Sequence, residues 1–213
     1  MTCLAPSPVV ERENVVYFGG AFDPITLGHM AVAMGVHADT GWQMWLAPCY
    51  EHKHGKEMAA PPHRLQMVRN ACDVLGVHIH KPCTFETDRQ FNGSTFELLE
   101  RLEKEQPKYR FHLLIGFDNL KSITEGRWER GEELLTRFPV IIVPRAGYER
   151  FWDDWLPPAG CEWKFINVGF PSASRDVRLA IEEGRNDEAA RRLHYRVWQY
   201  IERCRLYGYK RKS

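Results

Sequence analysis

The fold is decided by residues 15–29, which read VVYFGGAFDPITLGH. The apolar run at residues 15–18 is typical of a strand inside a sheet, and the two glycines at 19–20 end it. A helix pattern follows over residues 27–38, so the segment predicts a strand, a glycine turn and a helix. This order is the first part of a βαβ unit and predicts a parallel sheet.

The same alternation continues along the chain. Apolar runs predict further strands at residues 42–47, 77–80, 109–115, 138–143 and 164–168, and helix patterns lie at 63–75, 94–104, 128–137, 174–183 and 188–206. The run at 138–143 is typical of a strand buried on both faces of a parallel sheet, and Ser94 with Glu97 forms a capping-box pattern. We therefore expect an α/β fold: a doubly wound, Rossmann-like parallel sheet with C-terminal helices.

Composition narrows the class of protein. The 213 residues carry 29 basic and 28 acidic side chains, and this balance argues against a nucleic-acid partner. No apolar run reaches the ~18 residues of a membrane span, and the first residues lack a signal-peptide pattern, so we expect a cytoplasmic protein with no membrane partner. The six cysteines include no CxxC pair, and we expect no metal bound by the protein alone.

The turn after the first strand is the first candidate site. Ligands of parallel sheets bind at the carboxyl ends of strands, and here Gly19 and Gly20 let a phosphate approach the backbone closely. The helix that follows directs its positive end to the same place. Thr26 and His29 fall on one face of its first turn and offer a hydroxyl and an imidazole to a phosphate. The segment contains neither GxGxxG nor a Walker loop.

Residues 19–29, GGAFDPITLGH, resemble the nucleotide-binding signature GGxFDPxHxGH of the nucleotidyltransferase superfamily, with Thr26 at the first histidine position. GFDNL at 116–120, Trp128, the Pro-Arg pair at 144–145 and residues 172–178 resemble nicotinate or nicotinamide mononucleotide adenylyltransferases. The resemblance implies adenylyl transfer from ATP to one of these mononucleotides, giving the NAD-type dinucleotide and pyrophosphate in NAD biosynthesis. It covers residues 14–208 as a nucleotidyltransferase domain, with residues 1–13 as an N-terminal extension and 209–213 as a basic tail.

The resemblance also implies the roles of individual residues. The catalytic residues implied are His29, Thr26 and, for the acceptor phosphate, Lys53 or Lys56. The ATP-binding residues implied are Gly19, Gly20, Ala21, Phe22, Gly28, Gly116, Asp118, Ser174, Arg175 and Arg178. Those implied for the mononucleotide are Thr95, Asn119, Trp128 and Arg145. Mg²⁺ is expected with ATP, mostly on phosphate oxygens and water.

Several alternatives stay open at this point. In the last motif Arg175 takes the place of a threonine, while Ser174 is expected at the N-cap. Asp118 either binds a ribose hydroxyl or a magnesium-bound water, or caps the loop after its strand. Arg64, in the HRLQM segment at 63–67, is expected to reach a neighbouring loop. Two rival functions remain. One is another transferase of the same superfamily, such as a phosphopantetheine adenylyltransferase or a cytidylyltransferase, and the other is a non-catalytic nucleotide sensor. The preference for an acid or an amide mononucleotide also stays open, as does the formation of a homo-oligomer.

Overall fold

The computed structural model, which describes residues 11–51, 57–144, 155, 157–168 and 173–210, has a parallel sheet at its centre. Its strands are β1 (Glu13–Gly20), β2 (Gln43–Pro48), β3 (His80–Pro82), β4 (Tyr109–Gly116), β5 (Val140–Val143) and β6 (Trp163–Phe165). They lie in the order β3-β2-β1-β4-β5-β6, and every neighbouring pair is parallel. The order reverses between β1 and β4, which is the switch point of a doubly wound sheet.

Helices cover both faces of this sheet. They are α1 (Leu27–Thr40), α2 (Pro61–Leu75), α3 (Phe85–Arg89), α4 (Thr95–Glu105), α5 (Phe117–Thr124), α6 (Gly131–Arg137), α7 (Ser174–Glu182), α8 (Asn186–Arg191) and α9 (Tyr195–Cys204). Side chains alternate along each strand, so Val16 packs with α1, α2 and α7–α9 while Val15 packs with α4–α6. The predicted doubly wound fold with C-terminal helices is confirmed. Among the described residues, no helix combines the length and apolarity that a membrane crossing needs.

Three predicted elements differ from the structure. The prediction of a strand at 77–80 is wrong, because residues 77–79 form a turn after Gly76 and β3 begins only at His80. The helix expected at 128–137 begins only at Gly131, after Arg130 adopts a left-handed φ of 56°. The helix expected at 188–206 is two helices, and His194 separates them by capping α9. The short helices α3 and α5 were not predicted.

Arg64 is a charged side chain buried at the centre of the fold, with 0% of its surface exposed. Its guanidinium donates to the carbonyls of Ala21 (2.9 Å), Cys49 (2.7 Å), Tyr50 (2.8 Å) and Ala59 (2.8 Å). These carbonyls belong to the turn after β1, the turn after β2 and the segment before α2. The side chain therefore ties three segments together, as expected of a residue that reaches a neighbouring loop.

We expect Arg64→Met to lower the free energy of unfolding by about 3 kcal/mol or more, since it removes the donor of four carbonyl groups that contact a fully buried side chain. Arg69→Met is the matched control, because Arg69 is exposed on the same helix and its replacement should cost less than about 0.5 kcal/mol. Urea unfolding of both variants measures the difference. Equal losses in the two variants would contradict this role for Arg64.

Candidate active site

A cavity of about 540 Å³ opens at the switch point, where the carboxyl ends of β1 and β4 meet. The structure brings six of the predicted site residues to its wall: Gly19, Gly20, Ala21, Thr95, Asn119 and Trp128. They come from the turn after β1 and from the segments around α4, α5 and α6. A second cavity, of about 660 Å³, lies beside the end of α9 and contains none of the predicted residues. Lys53, Lys56 and Arg145 lie outside the described residues.

His29 has a fixed orientation at the first turn of α1. Its Nδ1 accepts the backbone N–H of Thr26 at 3.0 Å and lies 2.8 Å from the Thr26 hydroxyl, while the His29 N–H reaches that hydroxyl at 3.4 Å. A ring nitrogen that accepts a backbone N–H carries no proton, so in the neutral imidazole the proton is on Nε2. His29 therefore presents an Nε2–H donor at the positive end of the helix.

Thr26 has a different position from the one expected. It is the N-cap of α1, its side chain is buried, and its hydroxyl forms a capping box with His29. We therefore assign Thr26 to orienting His29 rather than to a direct phosphate contact. Gly28 is buried in the first turn of the same helix.

Phe22 packs against the His29 ring. The Phe22 residue is 1% exposed, and its backbone has a left-handed φ of 45°. Its ring lies edge-on to the His29 ring, with centroids 5.2 Å apart. Phe18 packs against both rings, at 5.3 Å from Phe22 and 6.2 Å from His29. Neither Phe22 nor His29 is among the residues that line the cavity, so the ATP contact expected of Phe22 stays a prediction.

Two glycines in the site lie close to a neighbouring side chain. A Cβ on Gly19 would lie 2.8 Å from a ring carbon of Tyr17, which folds across the strand end. A Cβ on Gly116 would lie 2.5 Å from Oδ1 of Asp118, so this carboxylate folds back over the turn that begins α5. Asp118 therefore lies at the end of β4 as predicted, and its position is compatible with the capping role as well as with ligand binding.

Asp23 organises the loop between β1 and α1 from a fully buried position. Its Oδ1 accepts the backbone N–H of Ala59 at 3.0 Å and the hydroxyl of Tyr207 at 2.8 Å. Arg178 donates to the Asp23 carbonyl at 2.6 Å and lies 3.4 Å from Oδ2. Burial and the neighbouring Asp23 carboxylate raise the pKa of Tyr207 far above its ordinary range, which keeps this phenol a donor.

The helix predicted from residue 174 is confirmed, but its predicted N-cap is wrong. The N-cap of α7 is Ala173, and Ser174 is the first helical residue. Its hydroxyl donates to the Pro24 carbonyl at 2.9 Å, which ties α7 to the loop instead of capping its own helix. Arg175 is exposed, and Arg178 points at the Asp23 loop. Ser174 and Arg178 thus both contact the loop between β1 and α1.

The cavity residues that sequence reasoning missed include a hydrogen-bonded pair, Tyr17 and Glu86. The Tyr17 hydroxyl donates to Oε1 of Glu86 at 2.7 Å across 69 positions of sequence. The local signal was a tyrosine in the apolar run VVYF of β1. Within the described ranges, no group of three or more His, Cys, Asp or Glu side chains is placed to hold a metal ion.

A phosphate-accessible glycine turn and a helix N-terminus at the switch point of a parallel sheet define a nucleotide-binding protein of the Rossmann-like class. The profile of the cytidylyltransferase-like family matches residues 17–193. A probable nicotinate-nucleotide adenylyltransferase of Anaeromyxobacter dehalogenans is 31% identical over 204 residues, covering 91% of this chain and 96% of the relative. The chain therefore belongs to the cytidylyltransferase-like family and, within it, to the nicotinate-nucleotide adenylyltransferases.

Two further comparisons agree with this placement. A probable nicotinate-nucleotide adenylyltransferase of Christiangramia forsetii is 29% identical over 203 residues, which is 92% of this chain and 99% of the relative. The solved Plasmodium falciparum nicotinic acid mononucleotide adenylyltransferase, in complex with NaAD, superimposes with a TM-score of 0.76 at 22% identity, covering 93% of this chain and 99% of its own. The resemblance noted in the sequence is confirmed, and the structural match establishes the shared fold.

We expect Tyr207→Phe to lower the free energy of unfolding by about 1 to 3 kcal/mol, because it leaves a buried Asp23 oxygen short of a donor. Tyr209→Phe is the matched control: it removes a bond of the same 2.8 Å length to Glu202, which is partly exposed and can bind water instead. Thermal unfolding of the two variants measures the difference. A larger loss in Tyr209→Phe would contradict the importance of the Asp23 network.

Proposed function

We propose that this protein transfers the adenylyl group of ATP to a pyridine mononucleotide, nicotinate mononucleotide being the acceptor that its relatives' names indicate. The observation that carries the proposal is the meeting of Gly19–Ala21, Asn119 and Trp128 in one cavity at the switch point. The glycine turn provides backbone amides for phosphates, and the tryptophan provides an aromatic face for the pyridine ring. The two substrates would then meet next to His29.

In this reaction an oxygen of the acceptor phosphate attacks the α-phosphorus of ATP. A new P–O bond joins the two nucleotides. The bond between the α-phosphorus and the oxygen that bridges to the β-phosphorus breaks, and pyrophosphate leaves. The acceptor phosphate is already an anion near neutral pH, so no general base is needed. The protein must align the two phosphates and compensate the charge that develops between them.

His29 is suited to this charge compensation. The capping box with Thr26 and the packing of Phe22 hold its ring, so the Nε2–H donor costs little reorganisation when charge develops. The amides of the glycine turn and the N-terminus of α1 add positive potential on the same side. We assign the α and β phosphates of ATP to this group, and the outer phosphate to Ser174 and Arg178.

The remaining roles follow the sequence predictions. Lys53 or Lys56 would meet the acceptor phosphate, while Thr95, Asn119 and Arg145 would contact the mononucleotide, and Asp118 the ribose or a magnesium-bound water. The described residues offer no carboxylate cage, which fits Mg²⁺ carried by ATP oxygens and water. Bound there, Mg²⁺ would neutralise charge on the triphosphate.

The proposed function is tested by incubating the protein with ATP, magnesium and each candidate acceptor in turn. Pyrophosphate release and chromatography of the products identify the reaction. We expect a dinucleotide from a pyridine mononucleotide, and no product with phosphopantetheine or with CTP in place of ATP. Nucleotide binding without turnover would instead support a sensor on the same fold.

We expect His29→Ala to lower kcat by about 100-fold or more and to leave the acceptor KM nearly unchanged, because its hydrogen bond strengthens as charge develops in the transition state. Steady-state pyrophosphate release measures both constants. Met34→Ala, at an exposed position of the same helix, is the control for folding and should retain normal turnover. Normal turnover of His29→Ala would place the reaction centre elsewhere.

We expect Trp128→Ala to raise the mononucleotide KM about tenfold with little change in the ATP KM, since the pyridinium ring is a cation that stacks on an electron-rich indole. Trp128→Phe should retain part of the affinity. Substrate titrations at saturating partner substrate separate the two constants. Equal losses for both substrates would indicate that Trp128 acts by packing alone.

A further inference from the structure

One wall of the cavity contains a carboxylate that the proposed reaction does not use. Glu86, in α3, lines the cavity together with Tyr17, Ser94 and Thr95, and Trp128 lines the same cavity. Glu86 is held from two sides, by the Tyr17 hydroxyl at 2.7 Å and by a backbone hydrogen bond from Tyr50. The carboxylate is therefore a fixed and polar part of the surface that would meet the acceptor.

The charged and titratable groups around Glu86 do not hold its carboxyl group in a single protonation state. Arg64 is the cation that faces it from α2, but the Arg64 donors are used by four backbone carbonyls. The thiols of Cys49 and Cys83, like the Tyr17 phenol, face the same region as neutral groups. Within the part of the chain that the structure describes, no Lys or Arg forms an ion pair with Glu86.

Burial raises the pKa of Glu86 to about 7, and the hydrogen bonds from Tyr17 and Tyr50 only partly oppose this effect. Both forms of the side chain are thus accessible near neutral pH. The protonated form donates a hydrogen bond, whereas the ionised form only accepts one. This difference matters for a ligand that carries an acid or an amide.

The two pyridine mononucleotides differ at one substituent of the ring. Nicotinate carries a carboxylate, which only accepts hydrogen bonds and is repelled by a second carboxylate. Nicotinamide carries an amide, which both donates and accepts. A ring stacked on Trp128 has the wall formed by Ser94, Thr95 and Glu86 within the same cavity, so its substituent has these polar groups to meet.

We propose that Glu86, positioned by Tyr17, contacts the substituent of the pyridine ring and discriminates between acid and amide acceptors through its own protonation. This inference rests on the proposed function. Protonated Glu86 donates to the nicotinate carboxylate, and ionised Glu86 accepts from the nicotinamide N–H and repels nicotinate. Glu86 is thus a specificity residue, and Tyr17 is a positioning residue that acts through it.

The test is a competition assay with both mononucleotides in one reaction with ATP. The ratio of the two dinucleotides gives the ratio of kcat/KM, in which ionisations common to both substrates cancel. We expect the acid-to-amide ratio to fall about tenfold from about pH 6 to about pH 8, as Glu86 ionises. In Glu86→Gln, which has no charge to lose, the ratio should not change with pH.

Two variants separate this role from a structural one. Tyr17→Phe removes a hydrogen-bond donor that favours the ionised form of Glu86. The fall in the acid-to-amide ratio should therefore occur at higher pH. Glu51→Gln, the control at another carboxylate of the cavity wall, should keep the pH dependence of the unmodified protein. A ratio that is flat in the unmodified protein, or still pH dependent in Glu86→Gln, would overturn the proposal.

Calorimetry gives a second readout that does not depend on turnover. Binding of nicotinate mononucleotide at about pH 7.5, measured in two buffers of different ionisation enthalpy, should take up more protons than binding of the amide, and Glu86→Gln should abolish the excess. Equal uptake for the two ligands would overturn the proposal. Failure to form a dinucleotide from either acceptor would instead reject the proposed function itself.

Discussion

The site depends on one buried cation. Among the described residues, no carboxylate forms a hydrogen bond with Arg64; its guanidinium instead donates to the carbonyls of Ala21, Cys49, Tyr50 and Ala59. Turns at strand ends leave carbonyl groups without sheet partners, and buried carbonyls need donors. A planar guanidinium with five N–H groups satisfies several carbonyls at once, which a lysine cannot do with the same geometry. The turns that form the cavity are held in place because this requirement is met.

A second layer of constraints turns this framework into a site with fixed donors. The Thr26 capping box sets the tautomer and direction of His29, and the ring of Phe22 keeps the imidazole in place. Asp23 joins the loop between them to Ala59, to Arg178 and to Tyr207. These contacts are formed by the protein alone, before any substrate is present, and such preorganisation is what makes electrostatic stabilisation effective.

Local sequence predicted much of the fold because strands, caps and helix patterns are local properties. The capping box of Ser94 and Glu97 is confirmed, and β1, β2 and β4 lie within two residues of their predicted ends. α3 was missed because five residues are too few for a helical period to show. The break at His194 was missed because the apolar spacing of Leu193, Val197 and Ile201 continues across it.

The candidate site was predictable only where a motif is contiguous in the chain. The glycine turn and His29 lie in one segment, and Thr95, Asn119 and Trp128 came from resemblance, but Glu86 depends on contact with Tyr17, which is distant in sequence. The bond between Tyr207 and Asp23 spans 184 positions, the longest separation in the site. A nascent chain can pair β1 with β2 early. The Asp23 loop, however, lacks its hydrogen bond from Tyr207 until that residue has left the ribosome. Completion of the loop therefore follows the synthesis of all six strands, after most of the sheet has had time to form.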